Sequence, residues 1–319
     1  MAAGEFDLIA RHFTRPVRRA TLGVGDDCAL LNLAPGQQLA VSSDMLVEGR
    51  HFLSTVAPER LGHKALAVNL SDLAACGAEP LAFTLALALP RADEAFLAPF
   101  ARGIFALADE HGIELVGGDT TAGPLNLCIT VFGQLPPGQA LLRSGARPGD
   151  ELWVSGTLGD ARLALEVFRG RVALAGEAFD SVRRAMELPQ PRVALGQALR
   201  GVASSAIDLS DGLLGDLGHV LKRSQVGATV DVDALPRSAV LAAQPLALQH
   251  ECLLAGGDDY ELLFTAPATA REAVLEAGAR AGLTVTRCGR MEAAPGLRVV
   301  DAQGRAVVAP WRAFDHFAE

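Results

Sequence analysis

Six short segments of this chain place an aspartate beside glycine or serine, and most of them follow an apolar run typical of a strand. They are Gly23-Val24-Gly25-Asp26-Asp27, Ser42-Ser43-Asp44, Asn69-Leu70-Ser71-Asp72, Gly117-Gly118-Asp119-Thr120-Thr121, Ile207-Asp208-Leu209-Ser210-Asp211-Gly212 and Gly256-Gly257-Asp258-Asp259-Tyr260-Glu261. Glycine lets a backbone approach a phosphate closely, and a carboxylate offers charge and oxygen to a hard cation. The recurrence of such Asp-rich turns indicates metal-assisted nucleotide chemistry.

Common catalytic motifs are missing from the chain, and their absence narrows the chemistry. There is no GxxxxGK[ST], and the only lysines are Lys64 and Lys222, which excludes Walker-type and protein-kinase sites. No GxGxxG follows a strand, so a dinucleotide-binding fold is not indicated. GxSxG and HExxH are also absent, so the sequence does not indicate a hydrolase or a zinc protease.

Aspartates and serine hydroxyls are therefore the groups left to do chemistry. Mg²⁺ prefers six oxygen ligands and commonly bridges carboxylates to substrate phosphates while keeping some water. Bound in this way, it orients ATP and stabilises in-line phosphoryl transfer. An acceptor that is itself a phosphate is already ionised near pH 7, so no general base is required. The expected oxygen ligands are Asp27, Ser42, Ser43, Asp44, Asp72, Asp119 and Asp208.

Each of these segments also has a purely structural interpretation. Asp26-Asp27 suits a plain turn, Ser71-Asp72 a polar helix surface, and Ser210 a helix N-cap. Gly159-Asp160 suits the beginning of a helix, although a phosphate could also bind at that N-terminus. For most segments taken singly the structural interpretation is the better one. Their joint recurrence favours a shared site.

The bulk composition favours a soluble, intracellular protein. With 28 basic and 37 acidic side chains the net charge is −9, which argues against nucleic acid or an anionic membrane as partner. The five cysteines include no CxxC pair, so we expect neither a zinc site nor disulfides, and a reducing cytoplasm. The N-terminus lacks signal-peptide features, and the longest apolar run, Leu81–Leu89, is too short to span a bilayer.

Strand-like runs alternate with helical patterns along the chain, which predicts an α/β or α+β fold in two domains. A Pro- and Gly-rich stretch from Pro136 to Asp150 indicates the boundary between them. We therefore expect an N-terminal metal- and ATP-binding domain over 1–137, a linker over 138–150 and a C-terminal domain over 151–319. The expected strands are 39–41, 81–89, 113–116, 125–135, 151–154, 206–207, 226–232, 262–265, 283–286 and 297–300. The expected helices are 58–76, 93–111, 160–168, 192–200, 271–281 and one from the fifth Asp-rich segment to about Lys222.

Taken together, the six segments resemble the thiamine-monophosphate kinase family. The resemblance begins at Glu5-Phe6-Asp7-Leu8-Ile9 and extends to Phe314-Asp315-His316-Phe317. The wider superfamily includes aminoimidazole ribonucleotide synthetase, selenophosphate synthetase and a hydrogenase-maturation protein.

This resemblance implies ATP-dependent phosphorylation of thiamine monophosphate to thiamine diphosphate, with several Mg²⁺ ions. It also implies a homodimer in which N-terminal mixed sheets form a barrel-like core, and a layered C-terminal α/β domain that completes the active-site cleft. By position, the metal ligands would be Asp27, Ser42, Ser43, Asp44, Asp72, Asp119, Asp208 and Asp211. ATP would contact Gly118, Asp119, Arg143 and Ser210, and thiamine monophosphate would contact His51, Asp258 and Phe314.

Two positions depart from the family pattern. Asp258 stands where relatives commonly carry Glu, which shortens that side chain by one methylene. Ser43 stands where Thr is frequent, a milder change because the hydroxyl is kept.

Two other classes of protein remain as alternatives. One is an ATP-dependent ligase, cyclase or dehydratase on the same fold, but Cys28 has no nearby lysine to activate it. The chain also ends Asp315-His316-Phe317-Ala318-Glu319, without the C-terminal cysteine that the hydrogenase-maturation relative needs. The other is a non-catalytic nucleotide-binding scaffold, for which so many mutually repelling carboxylates would have no use.

Overall fold

Contacts within the chain divide it into two compact units, described here from a computed structural model that covers residues 5–308 and 310. The first unit comprises the described residues up to Leu73 together with Ala78–Gly138. The second comprises Ala74–Gly77 and the described residues from Gln139 onward.

The first unit combines a four-stranded sheet with two long helices. Its sheet has the order β3-β6-β4-β5, with every pair antiparallel except β4 and β5, and β1 and β2 form a separate antiparallel pair. The strands are β1 (Ala20–Leu22), β2 (Leu30–Leu31), β3 (Gln38–Val47), β4 (Glu79–Leu89), β5 (Glu114–Ala122) and β6 (Asn126–Leu135). The helices are α1 (Glu5–Leu8), which continues as a π-helical turn over Ile9–Phe13, α2 (Pro58–Cys76) and α3 (Glu94–His111).

The two long helices lie where the sequence predicts them, and their ends have local causes. Asp93 caps α3 by accepting a hydrogen bond from the Ala95 amide at 3.0 Å. Gly112 ends the same helix at φ 61°, a left-handed conformation that glycine adopts without strain. A Cβ on Gly103 would lie 1.8 Å from the carbonyl oxygen of Glu59, so the glycine lets α3 approach the backbone of α2 closely.

Two strands extend through the segments that the sequence analysis interprets as turns. β3 includes Ser42–Asp44, paired with β6 along its whole length, and β5 includes Gly117–Asp119, paired with β4. The expectation of turns at these two places is therefore wrong. Hydrogen bonding to a neighbouring strand supplies the regularity that the Gly and Ser propensities do not. Asn69–Asp72 is also no turn, because it lies inside α2.

The second unit is built on a six-stranded sheet with the order β12-β9-β11-β7-β10-β8, antiparallel except for β12 against β9. Its strands are β7 (Glu151–Ser155), β8 (Ser205–Asp208), β9 (Gly227–Asp231), β10 (Leu262–Ala266), β11 (Val285–Glu292) and β12 (Gly296–Val300). Its helices are α4 (Asp160–Phe168), α5 (Glu177–Glu187), α6 (Val193–Ala198), α7 (Leu213–Ser224), α8 (Ala239–Ala242), α9 (Leu246–Ala255) and α10 (Arg271–Arg280), with a 3-10 turn at Ala268–Ala270.

The core of the second unit is aliphatic, with Leu152, Val154, Leu217 and Leu253 almost fully buried. The sequence analysis predicts this mixed α/β architecture and most of its strands, but it omits α5, α8 and α9. The hydrophobic residues of α9 do not lie on one face, so no helical periodicity marks it. Among the described residues, no helix is both long enough and apolar enough to cross a membrane.

Candidate functional site

Three of the expected metal ligands come together where β3 packs on α2. Ser42 and Asp44 are two residues apart on the strand, so they share one face of the sheet. The Ser42 hydroxyl donates a short hydrogen bond to the Asp72 carboxylate of α2. The Asp44 amide donates to Asn69 Oδ1 at 3.0 Å, one turn earlier on the same helix. Asn69, to which the sequence analysis assigns no role, therefore fixes the strand that carries Asp44.

The side chain of Ser43 lies on the other face of the strand. Its Oγ donates to the carbonyl oxygen of Ile129 at 3.1 Å and lies 3.0 Å from Thr130 Oγ1. Successive side chains of a strand point to opposite faces, so Ser43 cannot present its hydroxyl beside that of Ser42. Ser42 and Ser43 are adjacent in the sequence motif, but their hydroxyls lie on opposite faces of β3.

A cavity of about 670 Å³ brings Asp27 together with Gly118 and Asp119. Its polar lining comes from Asp26, Asp27 and the β5 segment 117–120, and its apolar lining includes Ile9, Phe13, Val24 and Leu115. Gly25 has φ 128°, and the Asp27 amide is held by Asp26 Oδ1 at 2.9 Å. A cavity of this volume, lined by both polar and apolar side chains, is typical of a small-molecule site and suits a nucleotide.

His51 lies in the turn that follows β3. The Val47 amide donates to His51 Nδ1 at 3.0 Å, so Nδ1 is an acceptor and the ring is oriented by the end of the strand that carries Asp44. In the neutral imidazole, this contact places the ring proton on Nε2.

In the second unit, the four predicted site residues Asp208, Ser210, Asp211 and Asp258 lie on two segments whose backbones are hydrogen-bonded to each other. Asp208 is the last residue of β8 and is 5% exposed. The Asp258 amide donates to the Ser210 carbonyl oxygen at 2.8 Å, and the Tyr260 amide donates to that of Leu209 at 2.8 Å. The segments Asp208–Asp211 and Asp258–Tyr260 are thus neighbours, as a common site requires.

Asp216 is a functional candidate that the sequence analysis misses. Its Oδ2 accepts hydrogen bonds from the amides of Asp211 and Gly212, both at 3.1 Å. Burial, and then the negative charge of Asp211, raise the pKa of Asp216 to about 7, while those two amides and Arg143 oppose the shift. The signal in the sequence was a carboxylate four residues after Gly212, one residue beyond the position that closes a capping box.

Asp216 also leads to a prediction about pH. An unfolded aspartate has a pKa of about 3.9, so the folded chain binds this proton more tightly. Its stabilisation is complete below about pH 4 and is lost as the pH rises through about 7. Asp216→Asn keeps an acceptor for the two amides but does not titrate. The variant should therefore gain free energy of unfolding relative to wild type as the pH rises from 4 to 8, by up to about 1.4 kcal/mol for each unit by which folding raises the pKa of Asp216.

Urea unfolding of the metal-free protein at several pH values measures this difference. Asp160 and Asp259, whose pKa values burial also raises, contribute equally to both proteins and cancel. Parallel pH profiles for wild type and Asp216→Asn would show that Asp216 does not titrate in this range.

The donor set fits Mg²⁺, because every predicted ligand offers a carboxylate or hydroxyl oxygen. Within the described part of the chain, no three acidic, histidine or cysteine side chains are already gathered as a metal cluster. Mg²⁺ does not need such a cluster, since it is commonly held by one or two carboxylates, water and the substrate phosphates. Phe314, the third predicted substrate contact, lies outside the described residues.

Two known protein families match this chain, one in its N-terminal part and one in its C-terminal part. Residues 25–135 match the family AIR synthase related protein, N-terminal domain. Residues 147–302 match AIR synthase related protein, C-terminal domain.

Individual relatives narrow this to one enzyme family. The chain is 49% identical to the thiamine-monophosphate kinase of Salmonella typhimurium, over 100% of this chain and 99% of that protein. The thiamine-monophosphate kinase from Stenotrophomonas maltophilia, whose crystal structure is known, is 46% identical in sequence to this chain. The two structures superpose with a TM-score of 0.85 over 94% of this chain and 95% of that one. AaThiL, solved in complex with AMPPCP and TMP, is 29% identical, with a TM-score of 0.78 and coverage of 90% and 89%. This chain therefore belongs to the thiamine-monophosphate kinase family.

Proposed function

We propose that this protein transfers the γ-phosphoryl group of ATP to thiamine monophosphate, giving thiamine diphosphate and ADP. The observation that carries the proposal is the cavity that joins Asp26 and Asp27 to the Gly117–Asp119 segment. Carboxylates and glycine-rich backbone in the lining of such a cavity are suited to a metal-bound triphosphate. Family membership supplies the acceptor, because the relatives are named for the phosphorylation of thiamine monophosphate.

We propose that Mg²⁺ is held by Asp27, Ser42, Asp44, Asp72, Asp119, Asp208 and Asp211. Ser43 is not included, because its hydroxyl lies on the other face of β3 and bonds Ile129 and Thr130. When bound, the metal ion neutralises phosphate oxygens and stabilises the charge that develops during in-line transfer. The chain's own residues prepare for this binding. Ser42 orients the Asp72 carboxylate, Asn69 holds the backbone of Asp44, and Asp216 fixes the turn that carries Asp211.

The substrate contacts are assigned by position, from the resemblance to the thiamine-monophosphate kinase family. We propose that ATP contacts Gly118, Asp119, Arg143 and Ser210. Thiamine monophosphate is assigned to His51, Asp258 and Phe314. The acceptor oxygen belongs to a phosphate that is already ionised near neutral pH, so the reaction needs no side chain as general base.

Product analysis tests this function directly. The purified protein is incubated with ATP, Mg²⁺ and thiamine monophosphate, and the products are identified by phosphorus NMR, with free thiamine as the control acceptor. We expect thiamine diphosphate and ADP from the monophosphate and no phosphorylation of thiamine. ADP without thiamine diphosphate, or no turnover, would contradict the proposal and favour the ligase-type alternative.

We further propose that the protein is a homodimer that uses the outer face of β3. Leu39, Val41 and Met45 alternate along this strand and are 49%, 55% and 55% exposed. Among the described strands, β3 is an edge of its sheet and pairs only with β6. A long, apolar edge strand is prone to pair with another chain, and a second copy would cover it. None of the five cysteines, all of which lie among the described residues, forms a disulfide, which suits the cytoplasmic location that we propose.

Val41→Lys is expected to convert the dimer into a monomer, because it places a charge in the middle of this apolar strand face. Leu275→Lys is the matched control, since Leu275 is also 49% exposed but lies on α10 of the second unit. Light scattering after size exclusion measures the mass of each variant. A monomeric wild type, or a Val41→Lys variant that stays dimeric, would count against the β3 interface.

A further inference from the structure

A buried ion pair joins β7, α6 and the loop that carries Asp258. Glu261 is 4% exposed, and its Oε2 accepts hydrogen bonds from Ser155 Oγ at 2.5 Å and from Arg192 Nε at 2.7 Å. Its Oε1 accepts a further bond from Arg192 Nη2. The guanidinium thus meets the carboxylate with two parallel bonds, the geometry that fixes both position and orientation.

The surrounding backbone is shaped to receive this carboxylate. A Cβ on Gly156 would lie 2.1 Å from Glu261 Oε1, and Gly156 has φ 56°. The Leu262 amide donates to Ser155 Oγ at 2.9 Å, so the serine connects the carboxylate to the first residue of β10. Burying an ion pair contributes little net stability even when its geometry is good. Its benefit here is better sought in what the pair holds in place.

Residues 256–260, here called the Asp258 loop, lie directly before Glu261, and their backbone conformation is strained. Asp258 has φ 64° and Tyr260 has φ 51°, left-handed conformations that cost non-glycine residues about 1–2 kcal/mol each. Such conformations persist only where neighbouring contacts enforce them. The enforcing contacts include hydrogen bonds from the Asp258 and Tyr260 amides to the carbonyl oxygens of Ser210 and Leu209, and one from the Leu209 amide to the Glu261 carbonyl oxygen at 2.9 Å.

We infer that Glu261, clamped by Arg192 and Ser155, is a positioning residue that holds the Asp258 loop in its strained conformation and so presents Asp258 to the phosphate acceptor. The inference rests on the proposed function for its substrate, but not for its geometry. Glu261 directly follows the loop, so a carboxylate free to move would let the strained residues relax toward ordinary backbone angles. The side chain of Asp258 has a single methylene, so the position of its carboxylate closely follows the conformation of its backbone.

Glu261→Gln tests this inference, because it keeps the size of the side chain and removes the charge that Arg192 grips. The matched control is Glu151→Gln. Glu151 is 5% exposed at the opposite end of β7 and is paired with Arg271 and Arg287, so its loss removes a similar ion pair. Steady-state kinetics with thiamine monophosphate and ATP are combined with hydrogen exchange of the Asp258 and Tyr260 amides.

For Glu261→Gln we expect kcat/KM for thiamine monophosphate to fall about 100-fold, mainly through KM, with the KM for ATP changed less than about threefold. The Asp258 and Tyr260 amides should exchange at least about tenfold faster, while amides inside β10 keep their protection. Glu151→Gln should show neither change. If Glu261→Gln does not fold, Arg192→Lys, which keeps the charge but loses the paired bonds, is judged by the same criteria.

Unchanged exchange at Asp258 and Tyr260, or equal kinetic effects of Glu261→Gln and Glu151→Gln, would overturn the inference. Failure of the proposed function has a different signature. The wild type would then make no thiamine diphosphate, while the exchange measurement would still report whether Glu261 holds the loop.

Discussion

Replacement of Asp44 by asparagine is expected to abolish phosphoryl transfer while the protein stays folded. Asp44 lies on the same face of β3 as Ser42, which bonds the Asp72 carboxylate, so the change removes negative charge from the proposed metal site. Asparagine has nearly the same shape, and the Asp44 amide can keep its bond to Asn69. A loss of about 4 kcal/mol in transition-state stabilisation corresponds to about a 10³-fold fall in kcat/KM.

The measurement is turnover at saturating ATP over a range of Mg²⁺ concentrations, together with circular dichroism and thermal unfolding. Asp180→Asn is the control, because Asp180 is an exposed aspartate on α5. It should keep wild-type activity. Near-normal turnover by a folded Asp44→Asn variant would remove Asp44 from the metal site.

Replacement of Gly118 by alanine should both destabilise the protein and impair nucleotide binding. A Cβ at this position would lie 1.9 Å from the Leu85 carbonyl oxygen on the adjacent strand β4, and Gly118 has φ 147°. Neither backbone can yield without breaking the β4–β5 pairing. We expect a loss of about 3 kcal/mol or more in the free energy of unfolding. For a chain of this size, that corresponds to a Tm lower by roughly 6–12 °C.

Gly117→Ala is the control for stability, because it changes the neighbouring residue of the same strand. Its added Cβ would meet only Thr84 Cγ2, at 3.8 Å, which is an ordinary contact. Calorimetry should show a change within about 1 kcal/mol for this variant. Similar Tm values for the two variants would mean that β4 and β5 can separate without cost. A folded Gly118→Ala variant with unchanged KM for ATP would place the nucleotide elsewhere.

Much of the fold was predictable from the sequence because its signals are local. The apolar spacing of α2 and α3, the Asp93 cap and the apolar run of β4 each depend on neighbouring residues alone. Strand ends were less predictable. Ser42–Asp44 and Gly117–Asp119 have poor strand propensity, yet they lie inside β3 and β5 because a partner strand continues beside them.

The candidate site was also predictable from the sequence only in part. Its six Asp-rich segments were visible as motifs, and the assigned residues that the structure describes come from them, apart from His51 and Arg143. Their grouping was not visible. Ser42 and Ser43 differ in face because of the strand's pleat, and Asp216 acts through backbone amides that precede its own helix.

By itself, the sequence determined which chemistry is possible, because it supplies oxygen ligands for a hard cation and glycines that let backbone approach a phosphate. Only the tertiary structure decided which of those groups meet. Ser42 reaches Asp72 across 30 residues of sequence, and Arg192 reaches Glu261 across 69. Such contacts depend on how strands register and helices pack, and these long-range arrangements leave no periodic trace in the sequence.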